Sequence, residues 1–152
     1  MREVGYPDPE TFAQGYAAAA GFVDSLPHER IVLGGFSQGA AVIDAIAIAD
    51  HPQLGFNNPM PPAVADHVAA VAVFGNPSIK LLGGPLTALS PGYGYKTIDL
   101  CNGADPVCSS GDDRPAHSLY VEAGLTTQAA QFVASRLATE APISTLASQT
   151  HN

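Results

Sequence analysis

The segment Gly35-Phe-Ser37-Gln-Gly39 carries the most chemical content in this sequence. A serine with a glycine two positions away on each side suits a tight turn from strand into helix, one that lifts the hydroxyl out of the sheet and is kept free of clashes by the glycines. The plainer alternative is a glycine turn that only packs strand against helix. A serine hydroxyl becomes a nucleophile when a histidine takes its proton and a carboxylate fixes the tautomer of that imidazole. Hydrolases built on such a turn carry the three in the order Ser, acid, His. His28 precedes Ser37, His51 and His67 precede every candidate acid of the last loops, and His151 lies in the tail, which leaves His117. Asp105 is the favoured acid, because it sits just past a short β-favouring run, at the carboxyl edge where functional groups collect in open α/β folds. Asp99 falls inside that run, and Asp112 and Asp113 read as solvated loop charges. The amide of Gln38, at the start of the following helix, is the candidate donor to an oxyanion.

Cys101 and Cys108 bracket Asp105. A bridge between them would close an eight-residue ring worth about 2.5 kcal/mol and, more usefully, would hold the aspartate loop still. The rival is a metal site shared with His117, but the cysteine spacing is too wide for a zinc knuckle and no fourth ligand is evident.

The elements that must position these residues follow from apolar spacing. Phe12, Tyr16, Ala19, Val23 and Leu26 form one stripe of a helix over Glu10–Leu26, stopped by Pro27. Ile31-Val-Leu33 reads as a buried strand entering the serine turn, and Gln38 to Ala49 as a helix apolar almost all round, broken by Asp44. The stretch from Asp50 to Pro62 is loop, Val68 to Phe74 a second buried strand, and Thr97 to Leu100 a third. Between Ile79 and Gly94 an irregular segment carries Leu81, Leu82, Leu86 and Leu89, either as a binding wall or as a loop packed on the core. A polar loop follows from Asn102 to Pro115. Thr126 to Leu137 closes the fold as a helix facing inward through Ala130, Val133 and Leu137, and the chain beyond Glu140 reads as a frayed tail. Helices alternating with short buried strands imply an α/β fold, a parallel sheet wrapped by helices in three layers.

The 152 residues suit a single domain over 1–152 with its core at about 10–138, and 46% hydrophobic content against 13% charged excludes the disordered class. A net charge of −8 with only two lysines offers no cationic surface, so nucleic acid is not expected as a partner. No apolar run approaches the roughly 20 residues that cross a bilayer, so no integral membrane association is expected, and the start Met1–Glu10 lacks the apolar core of a signal peptide.

Four segments together carry a family resemblance: Gly34-Gly-Phe-Ser-Gln-Gly-Ala-Ala41, Phe74-Gly-Asn-Pro-Ser78, Cys101-Asn-Gly-Ala-Asp-Pro-Val-Cys108, and Ala116-His117 with Tyr120 and Gly124. The chain resembles the cutinase family of serine esterases from about Phe12 to Leu137. The resemblance implies a cutinase-like α/β-hydrolase fold, a catalytic Ser37, Asp105 and His117, a Cys101–Cys108 disulfide, and hydrolysis of carboxylic esters without metal or cofactor. It further implies a secreted chain, expected as a monomer, acting on small-molecule, lipid or polyester esters. Phe36, Val107, Leu119 and the leucines of residues 81 to 89 are then candidates for an acyl-binding wall, which for aliphatic esters must be largely apolar. The family sheet has five parallel strands, of which this sequence supplies the last three, so an N-terminally truncated domain is expected. With the first strands would go the second oxyanion donor, at about 10²- to 10³-fold in rate, and a catalytically impaired fragment is the alternative expectation. Transfer of the acyl group to an alcohol is equally compatible with these residues.

Overall fold

The computed structural model describes positions 10, 13–15 and 17–18, then residues 30–48 and 62–139. The described positions between 10 and 18 are helical, in keeping with part of the Glu10–Leu26 expectation. The rest of that helix, the Asp50–Pro62 loop apart from Pro62, and the tail from Glu140 lie outside the described residues, as do His28, His51 and His151.

Among the described residues three parallel strands lie in the order β1 (Ile31–Phe36), β2 (Val68–Phe74) and β3 (Thr97–Leu100). Each is rich in small or β-branched residues, and the middle strand is buried on both faces, which is why it reads as an unbroken apolar run rather than an alternation. Registry sets Leu33 beside Val71 and Gly35 beside Val73 on one face. Onto that face packs α1 (Gln38–Ala47), whose residues from Ala40 to Ala47 are all buried. Leu33, Ile43, Ile46, Val71 and Val73 share one core cluster, each worth about 1.5–3 kcal/mol in surface removed from water. The other face of β2 is Ala70 and Ala72, and α5 (Leu125–Thr139) lies against β2 and β3. Small side chains there let a helix approach closely.

Three expectations need correction. The helix after the serine turn ends at Ala47 rather than Ala49, because the Ser90 hydroxyl takes the Ala47 carbonyl at 2.7 Å and the chain leaves helical geometry at Ile48. The 79–94 segment is not irregular: it holds α3 (Ser78–Leu82) and α4 (Leu86–Leu89), following the four-residue α2 (Pro62–Ala65). Leu86 is fully buried, and Leu82 and Leu89 pack on the core, so these leucines serve the core. On α5, Ala129 is the buried alanine, while Ala130 is exposed and Val133 and Leu137 are half-buried. One residue of phase is 100° of helix, more than a sequence stripe of alanines can resolve.

One acidic side chain points from α1 into this interior. Asp44 is 1% exposed, and its Oδ1 accepts from Asn76 Nδ2 at 2.9 Å. Burial, only partly offset by that bond and reinforced by nearby Asp99, pushes its carboxyl from 3.8 up to about 7. Folded Asp44 therefore keeps a proton that the unfolded chain releases above about pH 4. Its contribution to stability falls as pH rises from there to about 7, and is constant above. Asp44→Asn, which has no such proton, should melt several degrees above the parent at about pH 8, with the gap closing towards about pH 4. Thermal melts across this range check the expectation, and a pH-independent difference refutes it.

Candidate active site

Ser37 sits at the junction of β1 and α1 with φ 55° and ψ −116°, a positive-φ conformation that only strong surroundings hold in a non-glycine residue. Its N–H donates to the Phe74 carbonyl at 2.9 Å and its own carbonyl accepts from Ala41 at 3.2 Å, so the turn is pinned to both the sheet and the helix. The two flanking glycines differ. A Cβ at Gly35 would lie 2.5 Å from the Gly39 carbonyl oxygen, so strand and helix touch backbone to backbone there. At Gly39 a Cβ would meet open space, and the expectation that both glycines relieve clashes holds only for Gly35.

His117 comes from a 3-10 turn, Arg114–Ser118, that begins with Pro115 near its start and is capped by Asp113, whose side chain accepts from the Ala116 N–H. Its Nε2 lies 2.9 Å from Ser37 Oγ and its Nδ1 2.8 Å from Asp105 Oδ2. An ionised carboxylate can only accept, so Nδ1 carries the proton and Nε2 is left to accept from the serine hydroxyl. The Phe36 ring stacks on the imidazole, centroids 4.8 Å apart.

Asp105 is fully buried in the turn after β3. Burial alone would raise its pKa, yet bonds from His117, from Tyr120 Oη at 2.7 Å and from the Val107 N–H at 2.8 Å outweigh it and hold the carboxyl below its ordinary value. The loop is fastened by the Cys101–Cys108 disulfide, by the Ser109 N–H and hydroxyl on the Asp105 carbonyl, and by Asn102 Nδ2 on the Ala116 carbonyl at 2.8 Å. That last bond ties the aspartate loop to the histidine turn. Cys101, Cys108 and Asp105 cluster within 4.8 Å, but both sulfurs are consumed in the disulfide and neither is a thiolate ligand.

Of the other candidate acids, Asp99 is engaged with Asn76 and Leu86, while Asp112 and Asp113 are exposed. The structure sets the residues of the expected wall apart from one another. Phe36 lines a cavity of about 460 Å³ beside His117, together with Phe74, Tyr120, Val121, Ser118 and Thr126. Val107 and Leu119 are not among its lining: Val107 meets Asp105 through its backbone N–H, and Leu119 is 42% exposed. Tyr120 had no role apparent from its sequence alone. Three residues after His117, it is returned by the turn to the same side, where its phenol is raised by burial and by the bond to Asp105.

A family model described as Cutinase matches residues 8–137. The chain is 51% identical over 144 residues to phospholipase Culp4 of Mycobacterium tuberculosis, covering 88% of this chain and 62% of that one. It is likewise 51% identical over 117 residues to probable carboxylesterase Culp5 of the same organism, covering 73% and 67%. It thus spans about two-thirds of the length of these relatives. Among solved structures, an acetylxylan esterase aligns with TM-score 0.70 at 27% identity, over 85% of this chain and 72% of that one. A Trichoderma reesei cutinase bound to a phosphonate inhibitor aligns with TM-score 0.56 at 26% identity, over 83% and 51%.

Gly35→Ala must push the strand from the helix and should lower stability by about 1–3 kcal/mol in denaturant unfolding. Gly39→Ala should change it by less than about 0.5 kcal/mol. Equal effects at the two positions would contradict the close approach.

Proposed function

The chain belongs to the cutinase family, and from that premise we propose that it is a serine esterase hydrolysing carboxylic esters of short to medium acyl chains through an acyl-enzyme. The observation that carries this reading is the unbroken hydrogen-bonded path from Ser37 Oγ through His117 to Asp105, at 2.9 and 2.8 Å. Ser37 Oγ attacks the ester carbonyl carbon as His117 Nε2 takes its proton, and the carbonyl π pair moves onto oxygen. The Gln38 amide, at the positive end of α1, receives that oxyanion. Collapse expels the alcohol, protonated by His117. Water activated by the same imidazole then attacks the acyl-serine, and the acid leaves. Asp105 holds the imidazole in its Nδ1–H tautomer and stabilises the imidazolium between steps.

The apolar cavity under Phe36, Phe74 and Val121 suits an aliphatic acyl group, and the relatives named as carboxylesterase and phospholipase support small-molecule or lipid esters as substrates. Among the described residues no helix is long and apolar enough to cross a membrane, and the acidic balance disfavours nucleic acid. Secretion and a monomeric state belong to the same proposal.

The expected result is hydrolysis of p-nitrophenyl butyrate, with Ser37→Ala reducing kcat by at least about 10³-fold. Equal rates for the parent and Ser37→Ala would overturn the reading. A chain whose Ser37 is labelled by a fluorophosphonate probe but which turns over at only a trace rate would point to the impaired alternative.

A further inference from the structure

A second polar cluster lies under the same edge of the sheet and takes no part in the proton path. Asn76 is 1% exposed and commits its whole side chain to protein partners. Its Nδ2 donates to Asp44 Oδ1 on α1 at 2.9 Å and to Asp99 Oδ2 on β3 at 3.2 Å, and its Oδ1 accepts the Ser78 N–H, at the start of α3, at 3.1 Å. Asp99 Oδ2 also accepts the Leu86 N–H of α4 at 2.9 Å. Three elements meet on one amide, and α4 joins them through Asp99.

Asn76 follows directly on the two residues that seat the reacting groups. The Phe74 carbonyl holds the Ser37 N–H at 2.9 Å, and the Gly75 N–H donates to the Leu100 carbonyl at 3.0 Å. Gly75, at φ 56°, lies so close to His117 that a Cβ would stand 3.0 Å from its Cε1 and 3.2 Å from Tyr120 Oη. Phe74 and Gly75 thus form a shelf touching Ser37 on one side and His117 on the other. We propose that Asn76 is a positioning residue, which by tying α1 to β3 through Asp44 and Asp99 keeps this shelf where Ser37 and His117 meet at reacting distance. Only an amide of this length offers two N–H groups to two carboxylates while accepting a backbone N–H. Aspartate in its place would add a third carboxylate, and leucine would leave buried Asp44 and half-buried Asp99 without that donor.

The inference rests on the esterase reading for its kinetic test. With p-nitrophenyl butyrate and the full chain, Asn76→Ala should lower kcat about 10- to 100-fold, KM staying within about twofold, since displacement of reacting groups acts on the chemical step. Asp44→Leu, similar in size but unable to accept, should lower kcat in the same way. Asp44→Asn keeps an acceptor oxygen for Nδ2 and should hold kcat within about twofold. Each variant is assayed well below its own melting midpoint, so that the folded fraction is not what is read. Unchanged kcat in Asn76→Ala, or equal kcat in Asp44→Leu and Asp44→Asn, overturns the proposal. So does failure of both Asn76→Ala and Asp44→Leu to fold, which would make the amide a folding requirement. The NMR resonance of the His117 Cε1 proton supplies a readout without turnover: it should move in Asn76→Ala and Asp44→Leu and stay in Asp44→Asn. A parent chain that neither turns over nor labels would remove the esterase reading alone, and this resonance would still decide the positioning role.

Discussion

The backbone at Ser37 is the constraint on which the rest depends. A non-glycine residue at φ 55° and ψ −116° costs about 1–3 kcal/mol and persists only where the surroundings leave no alternative. Here the surroundings are the continuous burial of α1 from Ala40 to Ala47, which fixes where the helix must lie, and the pairing of β1 along β2 from Ile31 to Phe36, which fixes where the strand must end. The chain has one residue in which to pass between them. Gly35 makes the passage possible, because its missing Cβ lets the strand backbone touch the helix backbone. The hydroxyl of Ser37 is therefore aimed by core packing some distance from any substrate, and its direction is as rigid as the core.

Buried Asp105 and the pair of buried Asp44 and half-buried Asp99 flank this turn, and the chain treats them oppositely. Asp105 receives a donor from His117, another from Tyr120 and a third from the Val107 backbone, so the anion is favoured in spite of complete burial. Asp44 and Asp99 share the amide of Asn76, Asp99 taking the Leu86 N–H as well, and burial raises both. The distinction lies in donor count rather than depth. Beside His117 the three donors favour the anion. A tie between α1 and β3 needs hydrogen bonds but no net charge, and there, below about pH 7, a proton held on Asp44 relieves the repulsion that two anions on one amide would create.

What the sequence made legible was local. Ser37 could be picked out because strand, turn and helix are contiguous, and His117 and Asp105 because chain order eliminates the other histidines and the strand edge favours one acid. The three strands and α1 could be read from short apolar runs, since burial on both faces leaves a compositional mark. The cavity wall was less legible: Phe36 follows from its place beside Ser37, but Phe74 and Val121 approach it only through the packing of separate elements, and Val107 and Leu119 look equally apolar on paper. Asn76 illustrates the limit. In sequence it is an asparagine beside a proline, which reads as a turn. Its partners lie 32 and 23 residues away, and neither Asp44 on a helix nor Asp99 in a strand announces that it points inward at the same atom.

The disulfide and Asn102 hold the remaining side chains of the site rigid. His117 and Asp105 belong to irregular chain between β3 and α5, the part of an α/β domain least constrained by sheet pairing. Cys101–Cys108 closes the aspartate turn, Asn102 carries that turn to the histidine segment through the Ala116 carbonyl, and the Asp113 N–H returns to the Ala104 carbonyl at 3.0 Å. A loop so cross-tied loses little further freedom when a substrate arrives, so binding energy is not diverted to ordering it. Two routes thus bring the three hydrogen-bonded side chains together: Ser37 is positioned by the core through α1, and His117 with Asp105 by covalent and hydrogen-bonded ties within the loop. They meet at the Phe74–Gly75 shelf, where the accuracy of one route must match that of the other, and where a displacement of either by about 1 Å would be felt in the chemistry.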